Sequence, residues 1–299
     1  MYSVGTLSPF QSPTVKLQRL FESHEIEVFA KLDLLQLSGS TKERTANSLI
    51  ESLLKAGTLE PGGMIVESTS GNLGIALARQ SAVRGIRFVA VVDENANRSA
   101  IDIMRAYGAV IDVVTTPADG NKLAARRRRV QHLLTEHPGA VTTNQYGSPD
   151  NPDAHFRTTM PEFMEATDGR LDMLFVATST TGTLLGCQRY LRQHHQETTL
   201  VAVDAVGSVL FGGESGPRRF PGLGAGIVPE LALQADPDVV CQIEEIDMVR
   251  GCRKLARREG ILAGASTGAI VTAIEQLLPQ VQAGSRIGFL VHDSGVPYL

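Results

Sequence analysis

Short, nearly continuous apolar runs recur along the chain, each followed by a polar or glycine-rich turn. They occupy residues 64–66, 88–92, 110–114, 173–177, 200–203 and 287–291. Runs rich in β-branched residues, without strict alternation, predict strands buried on both faces. Between them the period lengthens to that of a helix. Residues 43–55 put Leu49, Ile50, Leu53 and Leu54 on one face and stop at Gly57. Similar patterns follow Asn72 and cover 101–107, 184–194, 248–259 and 269–278. Strands alternating with helices predict an α/β fold with mainly parallel twisted sheets flanked by helices. A length of 299 residues suggests two domains at roughly 150 residues each. Residues 147–153, with Pro149 and Pro152 among turn formers, read as a linker near the middle.

Composition narrows the function classes. The formal net charge is −4 and aromatics are 5% with no tryptophan, so neither a basic footprint nor a stacking platform for nucleic acid is expected. No apolar run reaches the length of a membrane span, and the opening MYSVGTLSPF lacks the pattern of a signal peptide. Cys187, Cys241 and Cys252 are few and far apart, which argues against a disulfide framework or a thiolate metal site. No histidine or carboxylate spacing suggests a metal either. These features predict a cytoplasmic protein without membrane or nucleic-acid partners. Glycine stands out, at 29 residues, and it clusters beside serine and threonine where a backbone can approach a ligand closely.

Two of these clusters sit where a strand gives way to a helix. Ser68, Thr69, Ser70 and Gly71 precede Asn72, and Thr178, Ser179, Thr180, Thr181, Gly182 and Thr183 follow the run at 173–177. A cap needs one hydroxyl; several together at a helix N-terminus suit an anion. The second cluster has neither the lysine of a nucleoside-triphosphate loop nor the spacing of a dinucleotide loop, which leaves a single phosphate on a small cofactor. Residues 263–268, AGASTG, form a third loop of this kind, either wall or cap. Among the lysines, Lys42 alone lies in a Gly/Ser/Thr turn opening a helix. The positive end of the helix dipole favours its neutral, nucleophilic amine. The run Arg126, Arg127, Arg128 and Arg129 reads chiefly as a solvated helix face, although four consecutive positions leave at least one arginine free to turn inward.

Ser40-Thr41-Lys42-Glu43-Arg44, Ser68-Thr69-Ser70-Gly71-Asn72, Asn144-Gln145-Tyr146 and the stretch from Ser179 to Thr183 occur in an order that resembles the pyridoxal-phosphate-dependent cysteine synthase and cystathionine β-synthase family, of fold type II. The resemblance covers nearly the whole chain. It implies that Lys42 carries pyridoxal 5'-phosphate and acts as general base. It further implies that Asn72 lies beside the cofactor's phenolic oxygen, that Ser179, Thr180, Thr181, Gly182 and Thr183 hold its phosphate, and that Ser68, Thr69, Ser70, Gly71 and Gln145 hold the substrate carboxylate. It also implies a smaller mobile domain over 35–145, a larger one formed by 1–34 with 146–299, and a homodimer.

The departures matter as much. Ser179 and Tyr146 each add a hydroxyl where cysteine synthases commonly have glycine and phenylalanine. Together with residues 67–78, Val203-Asp204-Ala205, Gly207-Ser208-Val209, Phe211-Gly212 and residues 251–255, they make the chain similar to members that begin 2,3-diaminopropionate synthesis in siderophore and antibiotic pathways. This likeness implies β-replacement on O-phospho-L-serine by L-glutamate. Tyr146, Ser179 and Arg126 are candidates to meet glutamate, and Arg218 or Arg219 to meet the leaving phosphate. A cysteine synthase using sulfide, and a ligand sensor without turnover, remain open alternatives. Against the ring nitrogen the family commonly places a serine; here the pattern puts Asp293, with Ser294 one residue away.

Overall fold

The computed structural model describes residues 8–22, 24–115, 122–220 and 222–299. Most of the opening read above for a leader, six residues of the expected 35–145 domain, and Pro221 lie outside them. In chain order the elements are β1 (Thr14–Lys16), β2 (Glu27–Lys31), α1 (Lys42–Lys55), β3 (Met64–Ser68), α2 (Asn72–Arg84), β4 (Arg87–Asp93), α3 (Arg98–Ala106), β5 (Val110–Val114), α4 (Lys122–Glu136) and β6 (Ala140–Val141). There follow α5 (Asp150–Ala154), α6 (Met160–Ala166), β7 (Met173–Ala177), α7 (Gly182–Gln193), β8 (Thr199–Ala205), β9 (Val239–Ile243), α8 (Glu245–Glu259), α9 (Ala265–Leu277) and β10 (Arg286–Leu290).

The strands form two sheets. One has six strands in the order β1-β2-β10-β7-β8-β9, the other four in the order β5-β4-β3-β6. Every pairing is parallel except β1 with β2. Each sheet is covered on both faces, as its continuous apolar runs require. In the large sheet, Phe175, Phe289 and Val201 pack with Leu255, Ile270 and Ile274 on one side. Leu174 and Leu200 pack with Phe163 and Leu184 on the other. The small sheet buries Ile65 and Phe88 against Leu49, Leu77 and Met104, and Val66 and Val91 against Val130 and Leu133. Fully burying each such side chain contributes about 1.5–3 kcal/mol. No helix among the described residues is long and apolar enough to cross a membrane.

The expected linker is mostly helix. Only Gly147, Ser148 and Pro149 precede α5, which continues through a π-helical turn (His155–Thr159) into α6. Pro149 is the N-cap and Pro152 lies in the first turn, where a missing N–H costs no helical bond.

Helix α1 packs on α2 and on α5, so it contacts elements of both sheets. Its N-terminus is pinned to the large sheet. The Thr41 N–H donates to the His292 carbonyl at 2.8 Å, and Arg44, 1% exposed, reaches two carboxylates. It donates to both Asp33 oxygens at 3.0 Å, to Glu162 Oε1 at 2.7 Å and to Glu162 Oε2 at 2.6 Å. Lys31 closes the cluster with 2.7 Å to Glu162, and Ser12 donates to Asp33 at 2.6 Å. Lys42 therefore stands two residues from a fully paired buried ion network.

Candidate active site

Parallel sheets present ligands beyond the carboxyl ends of their strands, and here three such ends converge. The loop after β3 carries Ser68 to Gly71, the loop after β7 carries Thr178 to Thr181, and the chain after β10 carries His292 and Asp293. Together with Lys42 they line a cavity of about 390 Å³.

Helices α2 and α7 begin at these loops, and neither is capped by the side chain at its N-cap position, Gly71 or Thr181. The hydroxyls of the first loop do not serve as that cap, which leaves the α2 terminus open to an anion. In the second, Thr180 Oγ1 accepts from Gly182 N at 3.3 Å, and Thr181 holds φ at +62°. A threonine in the left-handed region costs on the order of 1 kcal/mol and is retained where surroundings enforce it. The third loop is a wall: Ala265 and Ser266 line the cavity.

Lys42 opens into the cavity. Burial pushes its amine down to about 8, and the Asp293 carboxylate opposes that shift. Burial, rather than the helix dipole invoked from sequence, is thus the main cause. Asp293 is 4% exposed. Burial raises its carboxyl above the usual range, offset by Tyr298, Asn72, Lys42 and Ser266. Tyr298 Oη donates to Asp293 Oδ2 at 2.7 Å, while Asp293 Oδ1 is buried without a protein partner. Ser294 turns away and accepts from Val296 N at 3.2 Å, so Asp293 is the member of that pair facing the cavity. His292 accepts the Ala177 N–H at 3.3 Å, and burial, then Lys42, push it down to about 3.

Of the residues singled out from sequence, Lys42, Ser68, Thr69, Ser70, Gly71, Asn72, Arg126, Gln145, Tyr146, Ser179, Thr180, Thr181, Gly182, Thr183, Arg218 and Asp293 all line the cavity. Arg219 does not. It is exposed and its backbone N–H is spent on Glu245. Chain direction explains this, since neighbouring side chains in an extended segment point to opposite sides. Arg126 lies 3.4 Å from Asp93 and 3.4 Å from Ser70 Oγ. Burial raises the Tyr146 hydroxyl, partly offset by Arg126. Sequence reasoning missed Arg127, His292 and Tyr298, which also line the cavity. It also missed Glu67 as a brace: this buried carboxylate accepts from Ser68 N, Thr142 Oγ1 and Thr143 N. Glu67 thereby fixes the Ser68 loop to the segment leading to Gln145.

Several polar atoms of the wall are buried without protein partners: Thr41 Oγ1, Ser68 Oγ, Arg126 Nε, Arg218 Nε and Asp293 Oδ1. Such atoms are costly unless a ligand satisfies them. An amine with a lowered pKa, a hydroxyl-rich helix N-terminus for a phosphate, and an orphaned carboxylate oxygen for a ring N–H fit pyridoxal phosphate.

Comparison with known proteins agrees with that fit. Residues 6–293 match the family described as pyridoxal-phosphate dependent enzyme. A protein of Ralstonia nicotianae named N-(2-amino-2-carboxyethyl)-L-glutamate synthase is 46% identical over 96% of this chain and 86% of its own length. One of the same name from Cupriavidus metallidurans is 42% identical with the same coverage. Among solved structures, the O-acetylserine dependent cystathionine beta-synthase of Helicobacter pylori matches with a TM-score of 0.91 at 28% identity, covering 100% of this chain and 98% of that one. O-ureido-L-serine synthase matches with a TM-score of 0.89 at 32% identity, covering 98% and 92%. With this match in sequence and fold, the chain belongs to the pyridoxal-phosphate dependent enzymes of fold type II.

Proposed function

We propose that this enzyme joins O-phospho-L-serine to L-glutamate by β-replacement, releasing phosphate and N-(2-amino-2-carboxyethyl)-L-glutamate, the opening reaction of 2,3-diaminopropionate synthesis. The observation that carries the reading is the charge of the cavity wall. Besides Lys42, its described lining residues include three arginines, Arg126, Arg127 and Arg218, against one carboxylate, Asp293. A phosphorylated amino acid followed by a dicarboxylic one matches that excess; sulfide requires none of it. The names of the two relatives support the same substrates.

Bound pyridoxal phosphate supplies the electron sink that makes an amino acid's Cα–H acidic. Ser179, Thr180, Thr181, Gly182 and Thr183 would hold its phosphate, Asn72 its phenolic oxygen and Asp293 its ring nitrogen. Ser68, Thr69, Ser70, Gly71 and Gln145 bind the substrate carboxylate, helped by the open N-terminus of α2. Lys42 Nζ takes the Cα proton and later returns it. An amine lowered to about 8 suits that role, because a base works best when its pKa lies near the operating pH. Arg218 meets the phosphate as it leaves Cβ. Tyr146, Ser179, Arg126 and Arg127 receive glutamate. Residues 35–145 close over the ligands relative to 1–34 with 146–299, the pinned start of α1 serving as pivot. Two copies form the working enzyme, a pairing supported by exposed large apolar side chains such as Leu233 and Ile246; sedimentation would test it. Mass spectrometry of products from phosphoserine with glutamate, and separately with sulfide, tests the reaction, with Lys42→Ala as control. A new product only with sulfide would reject it.

A further inference from the structure

Asn151 and His155 lie outside the cavity, one turn apart, and are 1% and 0% exposed. Each bridges elements that the cavity uses. Asn151 Nδ2 donates to the Gln145 carbonyl at 2.8 Å and to Thr180 Oγ1 at 3.1 Å, while its Oδ1 accepts from Thr45 Oγ1 at 3.4 Å. His155 Nε2 lies 3.2 Å from both Thr45 Oγ1 and Thr183 Oγ1, and its Nδ1 lies 2.9 Å from Thr159 Oγ1. The π-helical turn that starts at His155 is a feature that recurs at functional sites.

Thr45 sits three residues after Lys42, on the same side of α1. Thr180 and Thr183 belong to the hydroxyl loop at the start of α7. Gly182 shows how tightly loop and α5 meet: a Cβ there would lie 2.2 Å from Asn151 Oδ1. A shift of either threonine therefore transmits to Asn151 or His155 and on to Thr45, through groups with no slack.

We propose that Asn151 and His155 are positioning residues that couple occupancy of the hydroxyl loop by a phosphate to the placement of Lys42. A phosphate needs the Thr183 hydroxyl as a donor. The Thr183 oxygen must then accept, and His155 Nε2–H is the donor in reach. The same N–H faces Thr45, whose own hydroxyl proton goes to Asn151. Phosphate thus selects one tautomer and one hydroxyl orientation, and these fix the first turn of α1. Burial, with Lys42 and Arg44 adding to it, keeps His155 far below its ordinary pKa, so the ring stays neutral and both nitrogens retain distinct roles. The coupling does not depend on which nucleophile the enzyme uses.

The test separates the two ends of the cofactor. The full chain, stripped of cofactor, is titrated with pyridoxal, which lacks the phosphate, with and without saturating inorganic phosphate. Capture of pyridoxal at Lys42 is read from its absorbance and from borohydride trapping. In the wild type, phosphate is expected to tighten pyridoxal binding roughly 5- to 100-fold, and pyridoxal to tighten phosphate binding by the same factor. In Thr45→Val and His155→Phe each ligand alone still binds, and the coupling factor falls to within about twofold of unity, well below that range. His155→Gln, which retains a donor and an acceptor, restores part of it. The nearly isosteric Thr45→Val keeps the test usable if His155→Phe fails to fold. A wild-type coupling factor of one, or an undiminished factor in Thr45→Val, overturns the proposal.

Discussion

The Asn72 side-chain amide donates to Asp293 Oδ2 at 2.8 Å, joining the first residue of α2 to the segment after β10. One residue belongs to the four-stranded unit and the other to the six-stranded unit, so the bond spans the cavity. It also satisfies only one oxygen of a carboxylate that burial strains. Because burial raises the folded-state pKa of Asp293, its favourable contribution is present at low pH and is lost as pH rises through that raised value. Asp293→Asn keeps the shape without the charge. It should raise the thermal stability of the cofactor-free protein by on the order of 1 kcal/mol at pH 8 and by less at pH 5. It should also weaken cofactor retention. Equal melting shifts at both pH values would count against a strained carboxylate.

Lys42 gives a second pH signature. Its amine is pushed down to about 8, so the folded state releases this proton before the unfolded chain does. Stability should therefore rise with pH from about 8 toward the ordinary lysine value near 10.4. The rate at which the cofactor-free protein captures pyridoxal phosphate should climb about tenfold per pH unit below 8 and level off above it. Stopped-flow absorbance measures this directly. A rate still climbing at pH 10 would mean that the amine is not desolvated.

The ion cluster behind Lys42 should dominate the stability of this end of α1. Arg44→Met removes the guanidinium but keeps the stem, leaving Asp33 and Glu162 with Lys31 alone. Breaking a buried pair in this way costs about 3–5 kcal/mol, visible as a lowered denaturant midpoint. The Asp33 carboxyl is pushed up by burial, but Arg44 more than reverses this and holds it well below its usual range. Its contribution is present above the ordinary value near 3.9 and is lost as pH falls through the depressed one. The wild type should therefore lose more stability on acidification than Arg44→Met does.

The sheets, Lys42 and both hydroxyl loops were legible because each is written locally. A buried parallel strand is a continuous apolar run, and a ligand-binding helix start is a cluster of small polar residues. Strand β9 was not, because Val239, Cys241 and Ile243 face inward while Val240 and Gln242 are exposed, so no continuous run appears. Helix α5 was hidden by prolines that suit a first turn as well as a linker. The Arg126–Arg129 stretch shows the limit most plainly. Arg129 pairs with Asp112 at 2.8 Å, whereas Arg126 and Arg127 reach the cavity, and only the packing of α4 on β3 and β4 decides which side each takes. His155 and Asn151 carry no local signal, since the partners that tie them to the cavity, Thr45, Thr180 and Thr183, lie far along the chain in α1 and at the start of α7.

That division of the arginine run gives a specificity prediction. Arg126 is already engaged with Asp93 and with Ser70 in the carboxylate loop, so Arg126→Ala should disturb both substrates. Arg127 has no carboxylate partner among the described residues, lines the cavity, and is exposed at its edge. Arg127→Ala should raise the KM for glutamate about tenfold, the loss of one charge-assisted contact, while single-turnover phosphate release from phosphoserine stays unchanged. Glutamine, lacking the distal charge, should react equally well with Arg127→Ala and the wild type. On the other substrate, Arg218→Ala should raise the KM for phosphoserine by about tenfold or more, whereas Arg219→Ala, which is exposed and outside the cavity, should not change it. If Arg219→Ala proved as damaging as Arg218→Ala, phosphate recognition would have to be sought along the exposed segment instead of within the cavity wall.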